Sequence, residues 1–354
     1  MNINTITGKK DFVEYLRGKK ATFLLALSNT NTANIEGITQ AGIPGKIYLT
    51  PTLDSEFVCT AEVRSLENIA ETPKGVPTPA LITRAVHQLN PFSNIELLNL
   101  GLEKIPQIDY FKIHNFDIQP SQSIDSGANI NALELFERAL EFGKNYKTND
   151  DYLILGESVP SGTTTACATA LALGYNCKDM FSSSFKNDPK NIKEETINKS
   201  LSLLNEEMDL FTILSTVSDN MLIFNAGFIL GLTSSETKII LAGGTQMAGV
   251  LLVINSIIEH MQGVFDAKNI SLCTTKWVYE DKNSDIEALI KLCNFEINTY
   301  YADFDFSETS HPALKMYDDG EAKEGVGAGG AIMYGAMKGL DKISLTKEIE
   351  KFLV

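Results

Sequence analysis

Two glutamates far apart in the chain each stand beside a turn rich in glycine or hydroxyl groups. Glu157 begins a turn within the run GESVPSGTTT, and Glu324 precedes four glycines in six residues within the run KEGVGAGG. A carboxylate beside an apolar, water-poor pocket has a raised pKa, which suits a general base at neutral pH. The pattern therefore indicates acid–base chemistry, and the alternative for Glu324 is a helix-terminal acid stabilised by the helix dipole.

Two turns could bind an anion through backbone N–H groups and hydroxyls. The first, Glu157–Thr164, lies between a predicted strand and a predicted helix, and the second, Gly243–Met247, has the same setting. The free N–H groups and the dipole at a helix N-terminus favour an anion, most often a phosphate. Neither turn has the spacing of a Rossmann dinucleotide site or of a P-loop. Plain helix capping is the alternative interpretation.

Lys193 is a third candidate for an anion site. It falls in the first turn of a helix predicted over Ile192–Leu204. A lysine is unfavourable next to the positive end of a helix, which favours a role in binding an anion there. A solvated lysine is the alternative.

The overall composition narrows the class of protein. With 45 acidic and 30 basic residues the chain carries a net charge of −15, which argues against nucleic-acid and anionic-membrane binding.

Its five cysteines and four histidines show no metal-ligand spacing, and free thiols suit a reducing cytoplasm. Residues 1–20 carry charge throughout and lack the apolar core that a signal peptide needs. The uncharged stretch 239–258 is interpreted as strand, turn and helix rather than a membrane span.

Apolar strands alternating with helices predict an α/β protein with a parallel sheet covered on both faces. Short strands are also predicted for Lys46–Leu49 and Glu56–Thr60, and residues 101–131 are predicted to be irregular. The remaining predictions are strands Ala21–Leu27, Ile95–Leu100, Tyr152–Leu155, Lys238–Ala242, Ile270–Cys273 and Glu296–Tyr300, and helices Asp11–Arg17, Ala132–Lys147, Thr165–Leu173, Ile192–Leu204, two runs across Leu210–Leu232, Gln246–His260 and Asp285–Leu292. Residues 75–86 are predicted to begin as a rigid turn and to continue as a helix, with Pro79 in its first turn.

These motifs resemble those of the nicotinate-nucleotide:dimethylbenzimidazole phosphoribosyltransferase family, and most closely its divergent branch of archaea and cyanobacteria. The resemblance rests on the order and spacing of GESVPSGTT, Lys193, AGGTQ and KEGVGAGG, and nearer the N-terminus on IEGITQAGIPG, TPTLD and GVPTP. It covers nearly the whole chain. The strand–Glu turn and the C-terminal Glu-Gly motif are specific only in combination.

The resemblance implies a three-layer α/β/α fold with a mainly parallel, Rossmann-like sheet and a small helical domain from the chain termini. It places the α/β domain at residues 20–320 and the small domain at residues 1–19 and 321–354. A cytoplasmic homodimer that needs no metal or redox cofactor is also implied.

The implied reaction is transfer of phosphoribose from nicotinate mononucleotide to an aromatic base, with release of nicotinate, in the assembly of the cobamide nucleotide loop. Glu324 would be the general base and Glu157 a second catalytic residue. Pro77, Thr78 and Gly325 would form the base pocket. The phosphate and ribose would be held by Ser158, Val159, Ser161, Gly162, Thr163, Thr164, Lys193, Gly244, Thr245, Gln246 and Met247.

The chain departs from the bacterial members at both ends of this site. Val159-Pro-Ser-Gly162 replaces a Gly-Ile-Gly-Asn-like phosphate turn, and Pro77, Thr78 and Pro79 replace the familiar base-pocket residues. The acceptor therefore stays open among dimethylbenzimidazole, adenine, another benzimidazole and a phenolic base. A non-catalytic nucleotide-binding protein and a nucleotide hydrolase that uses Glu324 to activate water are the two other functions considered.

Overall fold

The apolar runs of the sequence form strands of one sheet in a computed structural model that describes residues 1–187 and 189–353. Within these residues the sheet has eight strands in the order β1-β8-β7-β6-β5-β2-β3-β4. They are β1 Ile3–Thr7, β2 Ala21–Leu27, β3 Asn94–Asn99, β4 Lys112–Asn115, β5 Tyr152–Ser158, β6 Lys238–Ala242, β7 Ile270–Thr274 and β8 Asn298–Ala302. All neighbours are parallel except β1, which pairs antiparallel with β8.

The α-helices of the described residues cover both faces of this sheet. They are α1 Asp11–Leu16, α2 Thr50–Thr60, α3 Ala80–Leu89, α4 Ala132–Asn145, α5 Gly162–Ala172, α6 Lys190–Leu201, α7 Leu210–Val217, α8 Asn220–Leu232, α9 Thr245–His260, α10 Lys276–Tyr279, α11 Ile286–Lys291, α12 Pro312–Asp318, α13 Ala328–Met337 and α14 Lys342–Glu350. Short 3₁₀ turns lie at Asn31–Asn34, Ile47–Leu49, Ile124–Ser126 and Lys351–Leu353.

Alternating side chains of the central strands point into two separate cores, because successive residues of a strand face opposite sides of the sheet. Leu153 and Leu155 of β5 pack with α4, α5, α8 and α9, whereas Tyr152 and Ile154 pack with residues of α3, α13 and α14. The observed three-layer α/β/α arrangement with a mainly parallel sheet confirms the predicted fold class.

The direction of the chain across the sheet reverses between β2 and β5. From β2 the chain proceeds to β3 and β4 at one edge, and it then returns to β5 and continues through β6 and β7 towards the other edge. β2 and β5 are paired to their last residues, Leu27 and Ser158. In open α/β sheets, ligands bind beyond the carboxyl ends of the strands at such a reversal.

Two predicted strands are wrong. Lys46–Leu49 leads into a 3₁₀ turn, and Glu56–Thr60 is the second half of α2. Short apolar runs do not distinguish a strand from a helix that is buried nearly all round, and α2 is buried at every position from Thr50 to Cys59. Pro51 in its first turn is the local signal for a helix.

Two observed strands lie outside the predicted ones. β1 and β4 contain polar residues and none of their residues is fully buried, so neither has an apolar run that periodicity detects. β4 falls in the region 101–131 that was predicted to be irregular, and β1 lies in the terminal segment assigned to the small helical domain. The division of the chain into a large and a small domain stays a prediction.

The long uncharged stretch of the sequence forms the end of β6, a turn and most of α9, as predicted. Across the described residues, no helix combines the length and the apolar character needed to cross a membrane.

Candidate active site

A cleft opens at the carboxyl ends of β5 and β6, where the chain turns towards α5 and α9. It has an empty volume of about 900 Å³, its open mouth included. The segments before α3 and α13 complete its wall, together with parts of residues 39–42 and 182–184.

The cleft brings together most of the residues predicted from the sequence. They are Pro77, Thr78, Glu157, Ser158, Val159, Ser161, Gly162, Thr163, Gly244, Thr245, Gln246, Glu324 and Gly325. Thr164 and Met247 are buried behind the two turns and do not line it. Lys193 also lies one layer behind, where its Nζ donates to the carbonyl of Ser182, a lining residue, over 3.3 Å.

The Glu324 carboxylate is held by the start of α13 and the end of β7. Oε1 accepts hydrogen bonds from the backbone N–H groups of Gly325 at 3.2 Å and Gly329 at 3.0 Å. Oε2 accepts from the N–H of Thr275 at 2.9 Å and from the Thr274 hydroxyl at 3.5 Å. These contacts fix the orientation of the carboxylate. The long contact from Thr274 leaves Oε2 with capacity for a further donor.

Burial and hydrogen bonding act in opposite directions on the pKa of Glu324. Burial raises the pKa to about 7, while the N–H groups of Gly329, Gly325 and Thr275 oppose that rise by stabilising the charged form. A carboxyl group with this pKa has a large ionised fraction at neutral pH and is still basic enough to accept a proton.

Glu157 lines the same cleft as the penultimate residue of β5, so it belongs to the strand and not to the turn predicted from the sequence. It is 5% exposed, and burial together with the negative charge of Glu324 raises its pKa to about 8. A methyl group on Gly243 would lie 3.8 Å from its Oε1, and one on Gly244 would lie 3.5 Å from Cγ of Glu324. The turn after β6 thus approaches both acids.

The C-terminal glycine motif docks directly on β5. Gly327, with φ of 70°, approaches so closely that a methyl group on Gly156 would lie 2.9 Å from its Cα. The N–H of Val326 donates to the carbonyl of Glu157 over 2.8 Å. Residues almost 170 positions apart in sequence therefore meet because glycine permits close backbone approach.

Buried polar atoms without a protein partner lie at the N-termini of α5 and α9. Among the residues that the structure describes, Ser161 Oγ and Gln246 Nε2 have no hydrogen-bond partner, although these two residues are only 6% and 5% exposed. The Gln246 amide lies against the α-carbon of Gly162, so the two turns are in contact. Such unsatisfied groups at helix N-termini are suited to bind an anionic ligand.

Asp54 is a cleft residue that was not singled out in the sequence. It is 2% exposed and accepts hydrogen bonds from the hydroxyls of Thr78 at 2.7 Å and Ser158 at 2.6 Å. Burial raises its pKa to about 6, against the effect of the two hydroxyls. The available signal was the TPTLD motif, which ends at Asp54 and lies between the two segments that were predicted to be strands.

Lys323 is the only cationic side chain among the described residues that line the cleft. Its Nζ donates to the carbonyls of Phe185 at 2.7 Å and Gly320 at 3.0 Å, and lies 3.4 Å from the carboxylate of Asp281. These contacts connect residue 323 with the 182–186 segment.

Solved structures with a similar fold come from Thermus thermophilus. The chain superposes on CobT of that organism with a TM-score of 0.60 and 12% identity, covering 94% of this chain and 84% of the other. A second structure, named nicotinate-nucleotide-dimethylbenzimidazole phosphoribosyltransferase, gives a TM-score of 0.59 at 12% identity over 94% and 83% of the two chains. The fold implied by the sequence motifs is therefore confirmed.

Relatives by sequence are archaeal, in agreement with the predicted divergent archaeal branch. No family model matches the chain. The UPF0284 protein of Saccharolobus islandicus (strain M.16.27) is 33% identical over 343 residues, which are 95% of this chain and 93% of the relative. The UPF0284 protein of Sulfolobus acidocaldarius is 32% identical over 349 residues, which are 96% and 98% of the two chains. The chain belongs to the UPF0284 protein family.

Proposed function

We propose that this protein transfers phosphoribose from nicotinate mononucleotide to an aromatic base and releases nicotinate, and that the product serves the assembly of a cobamide nucleotide loop. The observation that carries the proposal is the position of the Glu324 carboxylate in one cleft with two helix N-termini that present unpartnered buried polar groups. The fold shared with the phosphoribosyltransferase of Thermus thermophilus supports the choice of reaction.

The phosphate of the nucleotide would bind between the N-termini of α5 and α9. Ser161 and Gln246 offer the unpartnered groups there, and Gly162, Thr163, Gly244 and Thr245 supply the surrounding turn. The helix dipoles favour the negative charge, so the turns can hold a phosphate inside an acidic protein.

Glu324 would act on the incoming base. One ring nitrogen of the base attacks C1′ of the ribose while Oε2 of Glu324 takes the proton from the other ring nitrogen. The bond between C1′ and the ring nitrogen of nicotinate breaks. Its electron pair stays on that nitrogen, which loses its positive charge as nicotinate departs. Holding both substrates in the cleft makes this exchange effectively intramolecular, and the surrounding protein excludes competing water.

Glu157 would be mostly protonated at neutral pH because its pKa is raised to about 8. A neutral carboxyl can donate a hydrogen bond to the ribose, and its ionised form would stabilise positive charge developing at C1′. We therefore propose a supporting role for Glu157 on the ribose side of the reaction, opposite Glu324.

The hydrogen bonds of Glu324 favour a second candidate function. Four contacts from its own protein are also what a structural acid at the start of α13 would make. In that case the protein would bind a nucleotide without transferring its phosphoribose. For either function we propose a cytoplasmic homodimer.

Glu324→Gln separates the two functions because it keeps the size of the side chain and removes the base. Wild type incubated with nicotinate mononucleotide and a panel of aromatic bases should yield nicotinate and a new nucleotide, identified by mass. The variant should lose at least about 100-fold in rate, the usual contribution of a general base. Glu137→Gln, on the exposed face of α4, is the matched control.

Unchanged turnover in Glu324→Gln, with circular dichroism and thermal midpoint like those of wild type, would remove Glu324 from the mechanism. Nucleotide binding by calorimetry without any base-dependent product would establish the binding protein instead. Release of nicotinate in the absence of a base would indicate hydrolysis.

A further inference from the structure

The hydrogen-bond partners of Asp54 determine what its neighbours can offer to a ligand. An ionised carboxylate has no proton to give, so the hydroxyls of Thr78 and Ser158 must both donate to it, over 2.7 and 2.6 Å. Each hydroxyl has a single proton. Once that proton is directed at Asp54, only acceptor lone pairs remain for the cleft.

The remaining acceptor capacity differs between the two hydroxyls. Thr78 Oγ1 also accepts from the N–H of Ala80 over 3.2 Å, which leaves it one lone pair. The hydrogen bonds described for Ser158 Oγ use its proton alone, which leaves two. Both residues line the cleft, as does Asp54 itself.

The neighbouring groups on this side of the cleft are mixed, since the Thr72 hydroxyl accepts from the N–H groups of Lys74 and Val76 and keeps its own proton. Glu71 contributes an exposed carboxylate at the mouth. The Tyr317 hydroxyl is committed to the carbonyl of Pro77 over 2.6 Å. The surface that Thr78 and Ser158 form around Asp54 therefore offers acceptors, unlike the N-termini of α5 and α9, where dipoles and unpartnered groups suit an anion.

We infer that Asp54 is a positioning residue that makes the cleft wall at Thr78 and Ser158 a surface of hydrogen-bond acceptors. The aromatic base that binds there would then carry an N–H donor in addition to its reacting ring nitrogens. Ser158 then accepts from a ribose hydroxyl rather than binding the phosphate, and Thr78 accepts from the amino group of the base. The inference rests on the proposed function for the identity of the two substrates.

Benzimidazoles that differ only in one substituent test this inference. An amino and a methyl group are similar in size, but only the amino group donates hydrogen bonds. For aminobenzimidazoles and methylbenzimidazoles substituted at matching ring carbons, we measure the dissociation constant by calorimetry and the rate of nucleotide formation. Wild type should prefer the amino compound at one of the positions by about tenfold or more, the effect of one hydrogen bond within a charged network.

Two near-isosteric variants identify the source of the preference. Asp54→Asn gives its neighbours a donor as well as an acceptor, and Thr78→Val removes the hydroxyl. Each should reduce the preference to within about threefold of unity, because the amino group then loses the acceptor that distinguishes it from the methyl group. Asp179→Asn, on the exposed surface after α5, should keep the wild-type preference.

The outcomes distinguish this inference from the proposed function. A preference in binding without nucleotide formation from any base would support the acceptor surface and refute phosphoribosyl transfer. Nucleotide formation with equal or better use of the methyl compounds, or a preference that both variants retain, would overturn the inference alone. Absence of binding of every base to the wild type would overturn both.

Discussion

The two cleft glutamates differ in the hydrogen bonds that stabilise the ionised form of each carboxylate. Glu324 receives backbone N–H groups from three residues, whereas the described hydrogen bonds to the carboxylate of Glu157 come from the backbone of Val159 alone. Burial raises both pKa values, but the charge of Glu324 adds to the rise for Glu157. The pair therefore releases its two protons in separate steps, which is typical of sites with paired carboxyl groups.

The raised pKa of Glu157 predicts a specific dependence of stability on pH. The folded protein keeps this proton up to about pH 8, whereas an unfolded chain releases it near the ordinary value of 4.5. Stability should therefore fall as pH rises from about 5 to 8, because over this window the folded state binds more protons than the unfolded state. Glu157→Gln should remove this contribution and be more stable than wild type at pH 9 by a few kcal/mol, on the order of 1.4 kcal/mol per pKa unit.

Denaturant unfolding of the ligand-free protein between pH 5 and 9 measures this difference. The exposed control Glu137→Gln should follow the wild-type curve. If the free energy of unfolding of Glu157→Gln stays parallel to that of wild type across the whole range, Glu157 is not held in the environment described above.

At the scale of elements, α13 determines where Glu324 lies. Gly327 starts this helix against β5, and Gly329 and Gly330 allow it to pack on the ends of β7 and β6. A methyl group on Gly330 would overlap with Ala242, so this contact excludes larger residues. The glycine run is thus required for the position of the acid as well as for the backbone conformation.

Replacement of the glycines that flank α13 separates these two requirements. Gly327 and Gly339 both have positive φ, at 70° and 84°, but only Gly327 is in close contact, with its added methyl group 2.8 Å from the ring of Phe23. Gly339→Ala should cost about 1–2 kcal/mol from the backbone conformation alone. Gly327→Ala should cost roughly 1–3 kcal/mol more from overpacking. It should also reduce phosphoribosyl transfer, because α13 must move away from β5.

Thermal and denaturant unfolding of the two variants, followed by the transferase assay, test this prediction. Equal losses of stability would mean that close packing at Gly327 adds nothing to the cost of its conformation. Retained activity in a destabilised Gly327→Ala would show that the position of Glu324 does not depend on this contact.

At the scale of the whole molecule, the charge of −15 opposes the entry of an anionic substrate. The anion-binding turns act only at short range, whereas the field of the protein extends over a Debye length. Salt shortens that length from about 30 Å at 0.01 M to about 8 Å at 0.15 M. A nucleotide monophosphate should therefore meet less repulsion as the salt concentration rises.

The KM for nicotinate mononucleotide should accordingly fall between 0.01 and 0.15 M sodium chloride, by about two- to tenfold, while the KM for an uncharged base stays constant. Steady-state kinetics with each substrate varied in turn gives the two values. A KM for the nucleotide that rises with salt would indicate that local cations dominate its binding, contrary to the proposed role of the helix N-termini.

Local pattern was sufficient for the central part of the fold. The apolar runs of β2, β5 and β6 and the glycine and hydroxyl turns after β5 and β6 were predicted from the sequence, because a strand buried on both faces and a helix start each need particular residue types. The edge strands β1 and β4 and the buried helix α2 were not predicted from the sequence. Contacts with neighbouring elements determine their conformation, and their own residues lack the apolar periodicity that indicates it.

The sequence by itself determined which residues could do chemistry: two acids beside glycine-rich or hydroxyl-rich turns, on a parallel-sheet protein. Only the tertiary structure decided that Glu157 and Glu324 share a cleft, that Lys193 lies behind it, and that Asp54 joins Thr78 to Ser158. The physical reason is that turn and helix preferences depend on neighbours in sequence, whereas burial, pKa and hydrogen-bond polarity depend on groups brought together from distant parts of the chain.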